Sequence, residues 1–266
     1  MDIESGTDSQ SDNQTDDLKH NPIEIIYEDE HLVAINKEAG LLVHRSWLDK
    51  GETRFAMQLT RDAVGCHVFP AHRLDRPTSG VLLFAKSSAV ARSLTEAFTE
   101  RKVAKQYIAV VRGFMAEEGS VDYALSFKPD AIADKFADLD KPAQEAVTHW
   151  QSLDQIELPF AVSKKHATSR YSLMRLLPET GRKHQLRRHM RHLFHPIVGD
   201  TSYGDGRHNK FFRAQYDCTR MLLHAQTLKL DHPVTGEPLV LTAGFDEQWA
   251  RILEELDWVD SASLSR

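Results

Sequence analysis

Hydrophobic residues fall along the chain mostly in short extended runs separated by turn residues. Ile25-Ile26-Tyr27 and Leu32-Val33-Ala34-Ile35 flank the acidic turn Glu28-Asp29-Glu30 and predict two strands. Val81-Leu82-Leu83-Phe84-Ala85 is an unbroken apolar run, the pattern of a strand buried on both faces. Tyr107 to Val111, Ala146 to Leu153, Tyr171 to Leu177, Met221 to Leu230 and Pro238 to Leu241 predict further strands. Helical spacing is clearest over 88–101, where Val90, Leu94, Ala97 and Phe98 share one face. Residues 52–64, with Phe55, Met57, Leu59 and Val64 roughly periodic, and Glu247 to Leu256 predict two more helices. Arg182 to Phe194 predicts a basic helix ended by His195-Pro196. Many strands, few helices and no regular strand–helix alternation imply an α+β fold on a mixed sheet.

Two segments fall outside that pattern. Residues 1–22 hold almost no large apolar side chains and cannot offset the entropy of ordering, so they read as a disordered acidic tail. Residues 126–143 are polar and punctuated by proline, as in a long loop or insertion. One ordered unit is expected over 23–260, followed by a short C-terminal tail over 261–266. With 266 residues, 41% of them hydrophobic, the chain has material for a sizeable core. Its two cysteines, Cys66 and Cys218, exclude a disulfide framework. No run of 18 apolar residues predicts a membrane span, and the polar MDIESGTDSQ start is not a signal peptide. The cytoplasm is the expected compartment.

Charge changes the picture once it is located. The formal net charge of −6 argues against a polyanionic partner if taken whole. Residues 1–22 carry six acidic side chains against one basic, so the rest of the chain is close to neutral. Residues 170–232 carry 12 Lys and Arg against five Asp and Glu, together with seven of the 14 His. A basic window of this kind suits phosphate contacts.

Four clusters carry candidate chemistry. In His72-Arg73-Leu74-Asp75-Arg76-Pro77-Thr78-Ser79-Gly80 a carboxylate stands between two arginines. Arginine favours the charged form of a nearby carboxylate, which suits a nucleophile or base, although a structural ion pair has the same appearance. In Thr180-Gly181-Arg182-Lys183-His184-Gln185-Leu186-Arg187-Arg188-His189, helical spacing puts Arg182, Gln185 and His189 near one face. That face is either a phosphate contact or a solvated surface. His189, His192 and His195 are spaced like metal ligands, but no cysteine or HExxH pattern accompanies them, so no metal is expected. Tyr107 opens a strand and gains a role only if it shares a cleft with Asp75. No glycine-rich phosphate loop is present, so no nucleotide cofactor is expected.

Taken together, these motifs resemble the RluA-type pseudouridine synthases. HRLDRPTSG followed by VLLFAK is similar to the family signature. Ile35-Asn36-Lys37, Gly40 and Val43-His44 resemble its first motif, and Lys105-Gln106-Tyr107 with Val111-Arg112-Gly113 its tyrosine motif. Gly181 to Arg187, His195 to Asp200, Leu222 to Ala225 and the His232-to-Gly236 turn continue the match, which spans about residues 24–244. His44 to Asp49, Pro77, Ile132 to Ala137 and Ala146 to His149 resemble the branch that acts on uridine-65 in the T-stem of tRNA. Ribosomal RNA is the alternative substrate, and a non-catalytic RNA-binding protein the alternative class.

The resemblance implies a mostly antiparallel central sheet with flanking helices and a catalytic cleft. It implies Asp75 as the essential carboxylate, Tyr107 as the catalytic ring that stacks on the target base and helps remove the C5 proton, and an arginine paired with Asp75. Arg182 is the first choice for that arginine and Arg187 the second. Arg73 matches the position that helps extrude the base, and Leu222 or Leu223 would wall the pocket. His44, Arg45, Arg76, Lys183, Gln185, Arg187 and Arg188 complete the residues expected to face RNA. No cofactor or metal is implied, and a monomer is expected.

Overall fold

A computed structural model describes residues 22–44, 51–127 and 142–258. Ten strands form one sheet: β1 (Glu24–Glu28), β2 (Leu32–Lys37), β3 (Phe69–Pro70), β4 (Ser79–Ala85), β5 (Ala104–Arg112), β6 (Glu118–Asp122), β7 (Val147–Leu158), β8 (Ser169–Pro178), β9 (Leu223–Asp231) and β10 (Pro238–Thr242). Five helices accompany them: α1 (Ala56–Val64), α2 (Ser88–Thr99), α3 (Gln185–His192), α4 (Gly206–Tyr216) and α5 (Glu247–Glu255). The strand order is β1-β2-β4-β9-β5-β8-β7-β6, with β3 on β4 and β10 on β9. Every pairing is antiparallel except β4 with β9. The architecture is the expected α+β, with helices on both faces of a mixed sheet. Among the described residues no helix is long and apolar enough to cross a membrane.

Strand alternation sorts the core onto two faces. Ile108 and Val110 of β5 join Tyr171 and Leu173 of β8 against Phe212 of α4 and Trp249 and Ile252 of α5. Their neighbours Ala109, Val111, Met174 and Leu176 face the other way, against Leu186 and Met190 of α3. In the other half of the sheet, Leu32, Ala34, Val81 and Leu83 pack on Val90 and Leu94 of α2. Val33, Ile35, Leu82 and Phe84 pack on the α1 side. All seven residues of β4 are buried, as its unbroken apolar run predicts.

The halves meet where β4 runs parallel to β9, through Ser79 opposite His224 and Gly80 opposite Ala225. Gly80 has φ +111°, and a β-carbon there would lie 2.1 Å from the Ala225 carbonyl oxygen. Only glycine lets the two backbones approach this closely. Beside it, the Ser79 hydroxyl bonds His224 Nδ1 at 2.8 Å, and His224 Nε2 donates to the Ala243 carbonyl at 3.2 Å. His224 is 1% exposed, and burial pushes its imidazole down to about 4.

Four elements depart from the sequence reading. The basic helix starts at Gln185, not Arg182, because His184 adopts a left-handed backbone with φ +56°. Helix α4 was not expected, although Asp205 caps it by accepting from the Arg207 N–H, and Phe212 and Tyr216 bury one turn apart. The short strands β3 and β6 were also missed. The acidic tail up to residue 21, the core of the insertion over 128–141 and the C-terminal tail lie outside the described residues. The insertion is closed at its base by a bridge between Leu125 and Gln144.

Two outcomes follow from the seam. Gly80→Ala should destabilise the protein by roughly 3 kcal/mol through backbone collision, read as a lower urea midpoint. A buried neutral histidine adds stability that is complete above the ordinary imidazole value and lost as the pH falls. Urea unfolding as a function of pH should show a decline of roughly 3 kcal/mol from His224 between about pH 6.5 and 4. His224→Gln should remove that part of the decline.

Candidate active site

Asp75 sits in the loop that leads into β4. That loop is fixed from beneath by Leu74, buried at 5% exposure, and by a turn in which the Thr78 N–H bonds the Asp75 carbonyl. Its outer side is tied to the loop after β2. The Gly40 N–H donates to the Arg76 carbonyl, and the Arg76 Nε returns a bond to the Gly40 carbonyl. Lys37, fully buried, donates to the carbonyls of Glu38, Leu41 and Arg76, so one ammonium pins both loops. The Asp75 side chain stays 21% exposed, open to a cleft.

The arginine that meets Asp75 comes from 112 positions further along the chain. Arg187 on α3 donates from Nη1 to Asp75 Oδ2 at 3.1 Å. Its Nε and Nη2 hold Asp200 in a two-pronged pair at 2.7 and 2.9 Å. The Asp200 side chain is fully buried and also accepts the N–H groups of Ser202 and Tyr203. Burial alone would raise the Asp200 carboxyl, but Arg187 and the two N–H bonds outweigh it and hold the carboxyl below its ordinary value. The Arg187 guanidinium also lies over the Tyr203 ring, 5.1 Å from its centre.

Arg182 does not make this pair. Lying before the helix, it sends its Nε to the Glu145 carbonyl at 3.0 Å while lining the cleft. Arg187, expected among the RNA-facing residues, is instead 5% exposed and committed to two carboxylates. Gln185 is also turned inward: its side chain accepts from Thr180 and the Arg182 N–H and donates to Val147 and Thr148. It organises the turn that delivers Arg182 and His184.

The cleft beside Asp75 has a volume of about 510 Å³. Tyr107, Leu74, Leu186 and Leu223 supply its apolar wall. Strand alternation decides between the two leucines, since Leu222 points into the core on the opposite face of the sheet. Tyr107 follows a register shift between β5 and β9, the kind of irregularity that re-aims a side chain. Burial, then the charge of Asp75, pushes its phenol well above the ordinary value, so it keeps its proton at neutral pH. Arg73, Arg101, Lys105 and Arg182 line the polar side.

Other expected residues lie elsewhere. Arg76 pairs with Glu52 and the Gly40 carbonyl, away from Asp75. Arg188 is on the outer side of α3, donating to Ser126. Lys183 is half-buried in the turn before α3, and His44 is exposed. Arg45 lies outside the described residues, as do the rest of the 44–49 segment and 132–137. Of the spaced histidines, His189 bonds Thr148 and the Tyr123 carbonyl, and His195 the Arg112 carbonyl, while His192 stacks on Tyr123. Among the described residues no group of His, Cys, Asp and Glu is arranged to hold a metal ion.

The structure adds His184, Asp200 and Tyr203 to the centre. His184 Nε2 lies 3.8 Å from Asp75 Oδ1, and its Nδ1 meets the Tyr203 hydroxyl at 3.1 Å. Burial lowers its imidazole below the ordinary value, with Asp75 opposing and Arg187 reinforcing the shift. In sequence, only its place between Gly181 and Arg187 distinguished this histidine from its neighbours.

A sequence model described as RNA pseudouridylate synthase matches residues 31–192. The chain is 57% identical over 236 residues to tRNA pseudouridine synthase C of Vibrio parahaemolyticus, covering 89% of this chain and 96% of the relative. It is 56% identical over 239 residues to tRNA pseudouridine synthase C of Vibrio cholerae, covering 90% and 98%. Among solved structures, human RNA pseudouridylate synthase domain containing 4 superposes with a TM-score of 0.63 at 28% identity, covering 88% of this chain and 93% of that one. Human RNA pseudouridylate synthase domain containing 1 shares the fold, with a TM-score of 0.64 at 24% identity over 89% of this chain and 95% of that one.

The Asp200–Arg187–Asp75 relay carries a direct expectation. Asp200→Asn leaves a buried guanidinium undercompensated and should cost about 3–5 kcal/mol in urea unfolding.

Proposed function

The chain belongs to the RNA pseudouridylate synthase family, and we propose that it converts uridine-65 of the tRNA T-stem to pseudouridine, with Asp75 as the reacting carboxylate. The observation that carries the assignment of Asp75 is its ion pair with the buried Arg187 at the floor of a basic cleft. The tRNA substrate is supported by the relatives named tRNA pseudouridine synthase C, at 51 to 57% identity. Uridine-65 follows from the resemblance of His44, Pro77 and the Ala146-to-His149 segment to the branch that modifies it.

A uridine within a paired stem hides its C1′ and C5, so the nucleotide has to leave the stack before it reacts. Unstacking costs a few kcal/mol, offset by phosphate contacts from basic residues. Arg73, Arg101, Lys105 and Arg182 supply positive charge around the cleft, and Arg73 matches the family position that helps extrude the base. The flipped uracil lies against Tyr107, whose protonated phenol suits it to stacking and hydrogen bonding rather than to proton abstraction in the free enzyme.

Asp75 then promotes cleavage of the C1′–N1 bond, by attack on the sugar or by taking the C2′ proton. The detached uracil turns, and C5 bonds to C1′ as the Asp75 ester leaves it or, on the other route, as the proton returns to C2′. The proton on C5 is lost and N1 gains one, so the composition of the RNA is unchanged. No oxidant, water molecule or co-substrate is consumed, and no cofactor is required. Arg187 orients the carboxylate and keeps one of its oxygens directed at the guanidinium. The enzyme acts as a monomer in the cytoplasm, where tRNA is matured.

The test uses tRNA carrying tritium at C5 of uridine. Wild-type protein should release tritium and place pseudouridine at position 65. Asp75→Asn should bind the tRNA and release none. Full release by that variant would remove Asp75 from the mechanism, and modification of ribosomal RNA with position 65 untouched would replace the substrate.

A further inference from the structure

On the outer side of α3, beyond the cleft, lies a second cluster. Tyr123, Arg188, Arg191, His192 and Phe194 surround an open cavity of about 540 Å³, whose wall toward the cleft is Tyr203. Tyr203 touches both Arg187 and His184, which line the cleft, so it connects the second cavity to the first through these two side chains. From His184 to Arg191 the helix advances only about 10 Å.

Its chemistry is aromatic and cationic. The Tyr123 and His192 rings are stacked, 3.8 Å between centres and 16° from parallel. Phe194 is 80% exposed, on a left-handed backbone with φ +64° that side chains other than glycine and asparagine rarely adopt. That backbone is held at both ends: the Phe194 N–H bonds the Arg191 carbonyl, and the Phe194 carbonyl accepts from Arg112. The fold therefore fixes a phenyl ring in water. Arg188 reaches Ser126 and Arg191 the Tyr203 carbonyl, and among the described residues neither pairs with a carboxylate. Among the described residues no acidic side chain lines the cavity.

We propose that this cluster is a second nucleotide subsite, which takes a base displaced from the RNA stem next to the reacting uridine. The base stacks on Phe194 and the Tyr123–His192 platform, and Arg188 and Arg191 meet its flanking phosphates. Base–aromatic stacking and arginine–phosphate contact are how single strands are held without sequence readout. The proposal rests on RNA being the substrate.

The experiment compares wild type, Phe194→Ala and Arg191→Gln with an unmodified tRNA transcript. Binding is followed by fluorescence anisotropy across a salt series, and turnover at saturating tRNA. Phe194→Ala should weaken binding about tenfold and leave the saturated rate unchanged. Arg191→Gln should lower the slope of log affinity against log salt by about one. If wild type modifies the tRNA and both variants match its affinity and slope, the subsite is overturned while the activity stands. If wild type neither binds nor modifies RNA, both readings fall. Binding of poly-glutamate that Arg191→Gln abolishes, with tRNA affinity unaltered, would also overturn it and assign the surface to an acidic protein.

Discussion

A guanidinium buried in a protein must be matched by negative charge and acceptors, and the position of Arg187 imposes that demand on everything around it. Its desolvation is unfavourable by several kcal/mol unless each face of the fork finds a partner. Asp200 satisfies one edge with two bonds and is itself held by two backbone N–H groups. The remaining nitrogen reaches Asp75. The Asp75 carboxylate is thus placed by a neighbour that has no freedom of its own. A group preorganised in this way does not have to be reoriented as charge develops in the reaction.

The supports converge on Asp75 from several directions. Close packing of β4 on β9 at Gly80 fixes the strand that Asp75 leads into. The buried Lys37 ammonium ties the Arg76 backbone to the loop after β2. Gln185 knits the turn before α3 to β7, which sets where Arg187 and His184 begin. Among the described residues the cleft side is left open, lined there by arginines and a lysine.

Much of the sheet was legible because strand burial is written as alternation or as an unbroken apolar run. β4 and β5 show this directly, and the Val90–Leu94 spacing shows α2. What the sequence could not show is which residues meet across the fold. Arg182 and Arg187 are equivalent as basic residues near a helix start. The left-handed His184 moves that start by three residues and takes Arg182 off the helical face. Leu222 and Leu223 are equivalent as apolar residues, and only the register of β9 decides which faces the cleft. Helix α4 was hidden by its polar neighbours, although Asp205 ahead of Phe212 and Tyr216 was a readable cap and stripe. Asp200 gave no local sign that it holds Arg187, because its partner lies on another element.

The separation of 112 positions between the two members of the central ion pair has a bearing on how the protein is made. Synthesis runs from the N-terminus, so the Asp75 loop leaves the ribosome long before the helix that completes it. Until Arg187 has followed there is no partner for the Asp75 carboxylate, and until Asp200 has followed the guanidinium lacks its two-pronged counter-charge. A contact of such long range forms late, after the loop-closure entropy between the halves has been met. The cleft around Asp75 is therefore completed only with the finished tertiary structure.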